Sequence, residues 1–230
     1  MKGHTEKHFT SSDLVKDIVI GMADGLTVPF ALAAGLTGAV AHNNIIITAG
    51  IAEIVAGSIA MGLGGYLAGR TDYEHYYAEL KREYAEVERI PEEEKREVRE
   101  IFAKYGIDEP LQRTLADELS KDKTKWVEFM MQFELGMEKP DPRRAVKSAI
   151  TIGSSYIIGG IIPLFAYFVT TNPLNGLKLS AITTVVFLFL FGYIKTKLTG
   201  ESPFKGAIKT VLIGVVAAIA AFYIAKLVSQ

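Results

Sequence analysis

The sequence predicts an all-α membrane protein: five transmembrane helices, with a three-helix cytosolic domain inserted between the second and third. Three observations predict it. Five stretches each approach or exceed the roughly 20 apolar residues that a helix needs to cross a bilayer. Most of the charge is confined to residues 70–147, which hold 16 Lys and Arg and 20 Asp and Glu. That charged segment still repeats aromatic and leucine residues at spacings of three and four, the helical period.

The apolar stretches run over 17–40, 44–69, 146–170, 177–194 and 207–227. Their connectors are turn-formers. AHNN (41–44) is short and polar, TTNPLNG (170–176) combines Asn, Pro and Gly, and TKLTGESP (196–203) places Gly200 after one helix and Pro203 at the start of the next. The organisation expected is a cytosolic N-terminus (1–16), transmembrane helices 1 and 2 (17–69), the cytosolic helical domain (70–145) and transmembrane helices 3 to 5 (146–230). Lys2, Lys7 and Lys16 precede the first span, and Lys195, Lys197, Lys205 and Lys209 flank the fourth connector. The positive-inside rule then puts the N-terminus in the cytosol and, after five spans, the C-terminus on the far side. The polar start MKGHTEKHFTSSD has no apolar signal-peptide core, so the first span is expected to act as its own insertion signal.

Composition excludes several functions. A net charge of −1 gives no electrostatic case for nucleic acid. The absence of cysteine removes disulfides, thiolate metal sites and Cys nucleophiles. The four histidines, His4, His8, His42 and His75, are scattered and no nucleophile motif is present, so no catalytic residue is assigned and an enzyme is not expected.

In the inserted segment, Tyr73, Tyr76, Tyr77, Leu80, Tyr84 and Val87 mark a first helix that should continue directly from the second span. Pro91 opens a second helix over about 91–104, which Gly106 ends, and Asp108 is placed to cap a third over about 109–136. Leu111, Leu115, Leu119, Trp126, Phe129 and Phe133 form its partial apolar stripe. These aromatics give the segment something to bury, which a disordered acidic loop lacks.

The chemistry begins with carboxylates inside the apolar spans. Asp24 lies in the first and Glu53 in the second, and neither span holds a basic residue to pair with them. A carboxylate there costs several kcal/mol and normally faces a cavity or a pathway. The bland alternative is a polar contact between helices, or a carboxyl that stays protonated. At about 1.5 Å per residue, Asp24 and Met61 both fall roughly 10–12 Å from the cytosolic end of their helices. A carboxylate oxygen with a thioether suits Fe²⁺ or a similar transition metal better than Mg²⁺ or Ca²⁺. Glu53 falls some two turns deeper, as a second station or as the group that trades a proton for the metal. Asp17 shares a face with Asp24 and reads either as a cation-attracting mouth or as a solvated helix end. Gly21–Gly25 and Gly65–Gly69 are G-x-x-x-G spacings for close helix contact. Pro29 is expected to kink the first helix.

In the insert, Glu79, Glu83 and Glu86 share one side of a helix, Glu94 and Glu97 are three apart on the next, and Met130, Met131 and Glu134 lie within about one turn of the third. Glu pairs on facing helices are how bundles build carboxylate metal sites. Spacing alone favours a solvated charged face paired to Lys81, Arg82, Lys95 and Arg96 over a metal site.

The stretches DIVIGMADGLTVPFALAAGL (17–36) and AEIVAGSIAMGLGGYLAGR (52–70) resemble the signature of the vacuolar iron transporter family of plants and yeast, and the chain is close to plant members of it. The resemblance extends over the whole chain: five spans with a charged helical insert between the second and third. It implies a homodimer in the vacuolar membrane, with the pathway lined by the first helices, moving Fe²⁺ and other divalent metals (Zn²⁺, Co²⁺, Mn²⁺) from cytosol to vacuole against protons. Carried over by position, it implies that Asp24 and Met61 are the intramembrane metal pair and Glu53 a transport carboxylate nearer the lumen. It implies that Glu83, Glu86, Glu94, Glu97, Met130, Met131 and Glu134 are ligands of a cytosolic metal-binding domain, with Glu79 less firmly placed. Two alternatives use the same residues: a divalent-metal channel without proton coupling, and a membrane-anchored metal buffer or sensor.

Overall fold

The computed structural model describes residues 13–39 and 42–228. The N-terminus up to residue 12 and the first residue of the AHNN turn lie outside the described residues. Among the described residues there are eight helices: α1 (Asp13–Ala39), α2 (Asn43–Arg89), α3 (Pro91–Lys104), α4 (Glu109–Leu119), α5 (Lys123–Phe133), α6 (Arg144–Phe168), α7 (Pro173–Leu198) and α8 (Pro203–Val228). Five of them, α1, α2, α6, α7 and α8, are long and apolar enough to cross a membrane. The chain divides into two compact units, residues 1–67 with 145–230, and residues 68–144.

Helix bounds depart from the apolar stretches where polar residues still satisfy a helix. α1 starts one turn before Asp17, at Asp13, where the acidic side chain complements the positive end of the helix dipole and pairs with Lys16 at 3.5 Å. α2 runs unbroken from Asn43 to Arg89, as nothing in its sequence interrupts it. α7 begins four residues before its apolar run, at Pro173. The preceding Asn172 accepts from the Leu174 amide at 2.9 Å as its N-cap.

In the first unit, α1 packs on α7 and α8, and α7 on α8. α6 lies against both α1 and α2: Gly25 of α1 and Gly57 of α2 both abut Tyr156 of α6. Large aliphatic side chains such as Ile59, Leu63, Ile158, Ile182 and Val216 cover the outside of the helices, an exterior suited to hydrocarbon rather than water. Several polar groups inside are satisfied locally. The Asn43 amide donates to the Tyr167 carbonyl at 3.1 Å and the Thr170 carbonyl at 2.6 Å, closing the end of α6. The Ser180 hydroxyl donates to the Pro163 carbonyl at 2.8 Å. α1 and α6 continue through their prolines, Pro29 and Pro163, both fully buried.

In the second unit the core is Val87, Val98, Ile101, Ala116, Trp126, Val127, Met130 and Met131, with Tyr76, Leu80, Tyr84, Phe102 and Phe129 packed on it. Pro91 occupies the first turn of α3, and Gly106, at φ 76°, ends it in a backbone region that favours glycine. One expectation is corrected: the single helix over 109–136 is two helices. Asp122 N-caps α5, accepting from the Thr124 and Lys125 amides at 3.1 and 3.2 Å, so the chain restarts there. Asp108 stands at the N-cap of α4, but its side chain makes no capping hydrogen bond. Leu111 and Phe133, both in the expected apolar stripe, lie about half exposed.

Candidate functional site

Close packing fixes where the intramembrane carboxylates lie. On α2 and α6, Gly62 meets Ala149, Ser58 meets Gly153 and Ile54 meets Gly160, so the two helices run antiparallel. On α1, Gly21 meets Ile152 and Gly25 meets Tyr156, so α1 runs parallel to α6. Carried through α6, this register sets Asp24 near the level of Val55, with Glu53 within about a turn on one side and Met61 nearly two turns away on the other. The expectation that Asp24 and Met61 share a depth is corrected accordingly. The three side chains bracket one stretch of the first unit, and Asp24, Glu53 and Met61 are all partly buried.

A residue that the spacing arguments passed over joins them. The Tyr156 hydroxyl donates to Glu53 Oε1. Tyr156 is only 2% exposed, and Glu53 Oε2 is buried without a hydrogen-bond partner. The signal available in the sequence was slight: one tyrosine in SSYIIGG (154–160), a span that also carries Phe165, Tyr167 and Phe168. Asp17 is buried, with its Oδ1 accepting from Ser148 at 3.2 Å, so the solvated-end reading of that residue is set aside.

The second unit holds the other cluster. One carboxylate oxygen from each of Glu83, Glu94 and Glu134 lies within 4.8 Å of the other two. They come from three helices: Glu83 from α2, Glu94 from the first turn of α3 and Glu134 from the C-cap of α5. Glu83 and Glu94 are 2% and 3% exposed, and each keeps a buried Oε2 without a hydrogen-bond partner. Burial, then the charges of Glu134 and Glu86, push the Glu83 carboxyl up to about 7. Burial, then Glu83 and Glu97, push Glu94 to about 7 as well. Glu134 rises from burial and then from Glu97 and Glu86, and Glu97 rises from burial against the pull of Arg96.

The nearby cations are engaged elsewhere. Arg82 pairs with Glu79 at 2.5 Å and Glu86 at 3.7 Å, Lys95 with Asp117 at 2.9 Å, and Arg96 with Glu93 and Glu100. Among the described residues, no Lys, Arg or His is within ion-pair distance of Glu83, Glu94 or Glu134. The expected set is therefore sorted. Glu83, Glu94 and Glu134 converge, Glu97 and Glu86 sit close enough to raise their pKa values, and Glu79 is tied to Arg82. Met130 and Met131 are fully buried in the apolar core, with the Met130 carbonyl accepting from the Glu134 amide at 3.0 Å. Glu83 and Glu94 are buried and Glu134 is exposed; like charges at this spacing are stabilised by a divalent cation, and oxygen donors from three helices are what such an ion takes.

A family model described as the VIT family matches residues 15–226. The chain is 51% identical over 227 residues to Vacuolar iron transporter 1 of Arabidopsis thaliana, covering 99% of this chain and 91% of that protein. It is 48% identical over 225 residues to Vacuolar iron transporter 1 of Oryza sativa subsp. japonica, covering 98% and 89%. It is 38% identical over 223 residues to Protein CCC1 of Saccharomyces cerevisiae, covering 93% and 69%. With the family model matched over nearly the whole chain and relatives of this similarity along its length, the chain belongs to the VIT family, that of the vacuolar iron transporters.

Proposed function

We infer that this protein is a multi-pass transporter of the vacuolar membrane that moves Fe²⁺ from the cytosol into the vacuole in exchange for protons, with Mn²⁺, Co²⁺ and Zn²⁺ as further substrates. It works as a homodimer, with the N-terminus and the 68–144 unit in the cytosol and the C-terminus in the lumen. The observation that carries the reading is near-full-length similarity to proteins named vacuolar iron transporters, in plants and, at lower identity, a fungus. Its chemistry is transport rather than catalysis.

The mechanism follows from the donor groups. Glu83, Glu94 and Glu134, with Glu86, Glu97, Met130 and Met131 as further ligands, gather metal from the cytosol. Asp24 and Met61 bind it within the membrane, where oxygen and sulfur together favour a transition metal. Glu53 receives it on the lumenal side. Protons from an acidic lumen then protonate Asp24 or Glu53, and a protonated carboxyl is a poor ligand, so the metal is released. Met61 carries no titratable proton and keeps its donor through the cycle.

The test is Fe²⁺ uptake into proteoliposomes holding the purified protein, with and without an imposed pH gradient. Uptake driven by an acidic interior and lost in Asp24→Ala is the expected result. Uptake indifferent to the gradient assigns a channel instead, and full uptake by Asp24→Ala removes that residue from the pathway.

A further inference from the structure

Tyr156 donates a hydrogen bond to an intramembrane carboxylate, Glu53, and its surroundings leave it little freedom. Its backbone is pressed against Gly25, one residue from Asp24: a Cβ built at Gly25 would lie 2.9 Å from the Tyr156 Cα. Its ring runs alongside Gly57, where a Cβ would lie 2.5 Å from Cζ and 2.7 Å from Cε1. Only a residue without a side chain admits the ring there. The ring therefore ends at Glu53, one turn from Gly57, and its hydroxyl donates to Oε1. The second oxygen, Oε2, is buried and has no hydrogen-bond partner.

This arrangement divides the labour between two oxygens. A glutamate on an α-helix has three side-chain torsions and, unpartnered, samples several rotamers. A hydrogen bond from a fixed phenol removes that freedom and occupies one oxygen. The other is left aimed with no competing donor, which is the state a metal ligand needs before the ion arrives. We propose that Tyr156 is a positioning residue for metal transport: its hydroxyl holds Glu53 Oε1 so that Oε2 is presented to the divalent cation at a fixed place beside the Asp24 helix. This rests on the proposed role of Glu53 as a transport carboxylate.

Tyr156→Phe removes the hydroxyl and keeps the ring against Gly57. Co²⁺ uptake into proteoliposomes, measured over a range of Co²⁺ concentrations, is expected to show KM raised about tenfold, the size of one lost hydrogen bond to a charged group, with maximal rate within about twofold of the parent. A purely structural role would instead lower the amount of active protein, hence the maximal rate, and leave KM unchanged; that result overturns the proposal. Glu53→Gln in the same assay separates the two levels. If Glu53→Gln transports normally, the role of Glu53 fails; if it is inactive while Tyr156→Phe has the parent KM, only the role of Tyr156 fails. Should Tyr156→Phe not fold, the parent chain serves. With ¹³C-labelled tyrosine, Co²⁺ added to the detergent-solubilised protein shifts a tyrosine C–O band in the infrared difference spectrum, and Glu53→Gln removes the shift. A difference spectrum with no tyrosine band overturns the proposal.

Discussion

Glu83 and Glu94, on different helices, bring carboxylate oxygens within 4.8 Å of each other and of Glu134 while both side chains are almost wholly buried. Each carboxyl is raised from an ordinary 4.5 to about 7, so the folded state favours the protonated form. Their contribution to stability is complete below about pH 4.5 and is lost as pH rises through about 7. Metal-free protein is expected to melt at a lower temperature at pH 8 than at pH 5.5, with a slope of up to about 1.4 kcal/mol per pH unit for each group. Trp126, the single tryptophan and a core residue of the same unit, reports the transition by fluorescence. Glu83→Gln or Glu94→Gln flattens the slope, and Co²⁺ added at pH 8 restores the melting temperature. A pH-independent melt, insensitive to Co²⁺, contradicts the cluster as a cation site.

Met61 tests the soft half of the membrane pair. Met61→Leu nearly conserves volume and costs less than about 1.5 kcal/mol in packing, but deletes the thioether. Uptake of Fe²⁺ and Co²⁺ is expected to fall several-fold and that of the harder Mn²⁺ to fall less. Equal losses for all three metals would assign Met61 to packing alone.

Gly25 tests the helix contact that sets the register. Its missing Cβ would meet the Tyr156 backbone, which cannot rotate away as a side chain can. Gly25→Ala is expected to destabilise by about 1–3 kcal/mol, read as a lower melting temperature in detergent. Gly64 is the control: a Cβ there meets nothing within 4 Å, and alanine should be neutral or add up to about 1 kcal/mol through helix propensity.

Asp122 tests the restart between α4 and α5. Asp122→Ala removes the one oxygen that caps two amides and is expected to cost about 1 kcal/mol. Because α5 ends at Glu134, Co²⁺ binding to the 68–144 unit should weaken as well, measurable by titration calorimetry on the full chain. Unchanged stability would show that core contacts alone hold α5.

The sequence by itself determined the five apolar helices, the continuity of α2, and the positions of Pro91 and Gly106 at the ends of α3. Those features depend on local hydrophobicity and backbone chemistry, which a single stretch of chain carries. It also picked out Asp24 and Glu53, because an unpaired carboxylate in an apolar span is costly wherever the helix sits. Tertiary structure decided which groups meet. Spacing placed Glu79, Glu83 and Glu86 on one helix face, but only packing drew Glu83 to Glu94 and Glu134 and left Glu79 with Arg82. Spacing along each helix set Asp24 level with Met61, whereas contacts through α6 set it between Met61 and Glu53. Tyr156 remained hidden for the same reason: its hydrogen bond joins residues 103 positions apart in the chain. A period along one helix fixes a face; the depth and partner of that face depend on how neighbouring backbones approach, and here glycines on three helices set that approach.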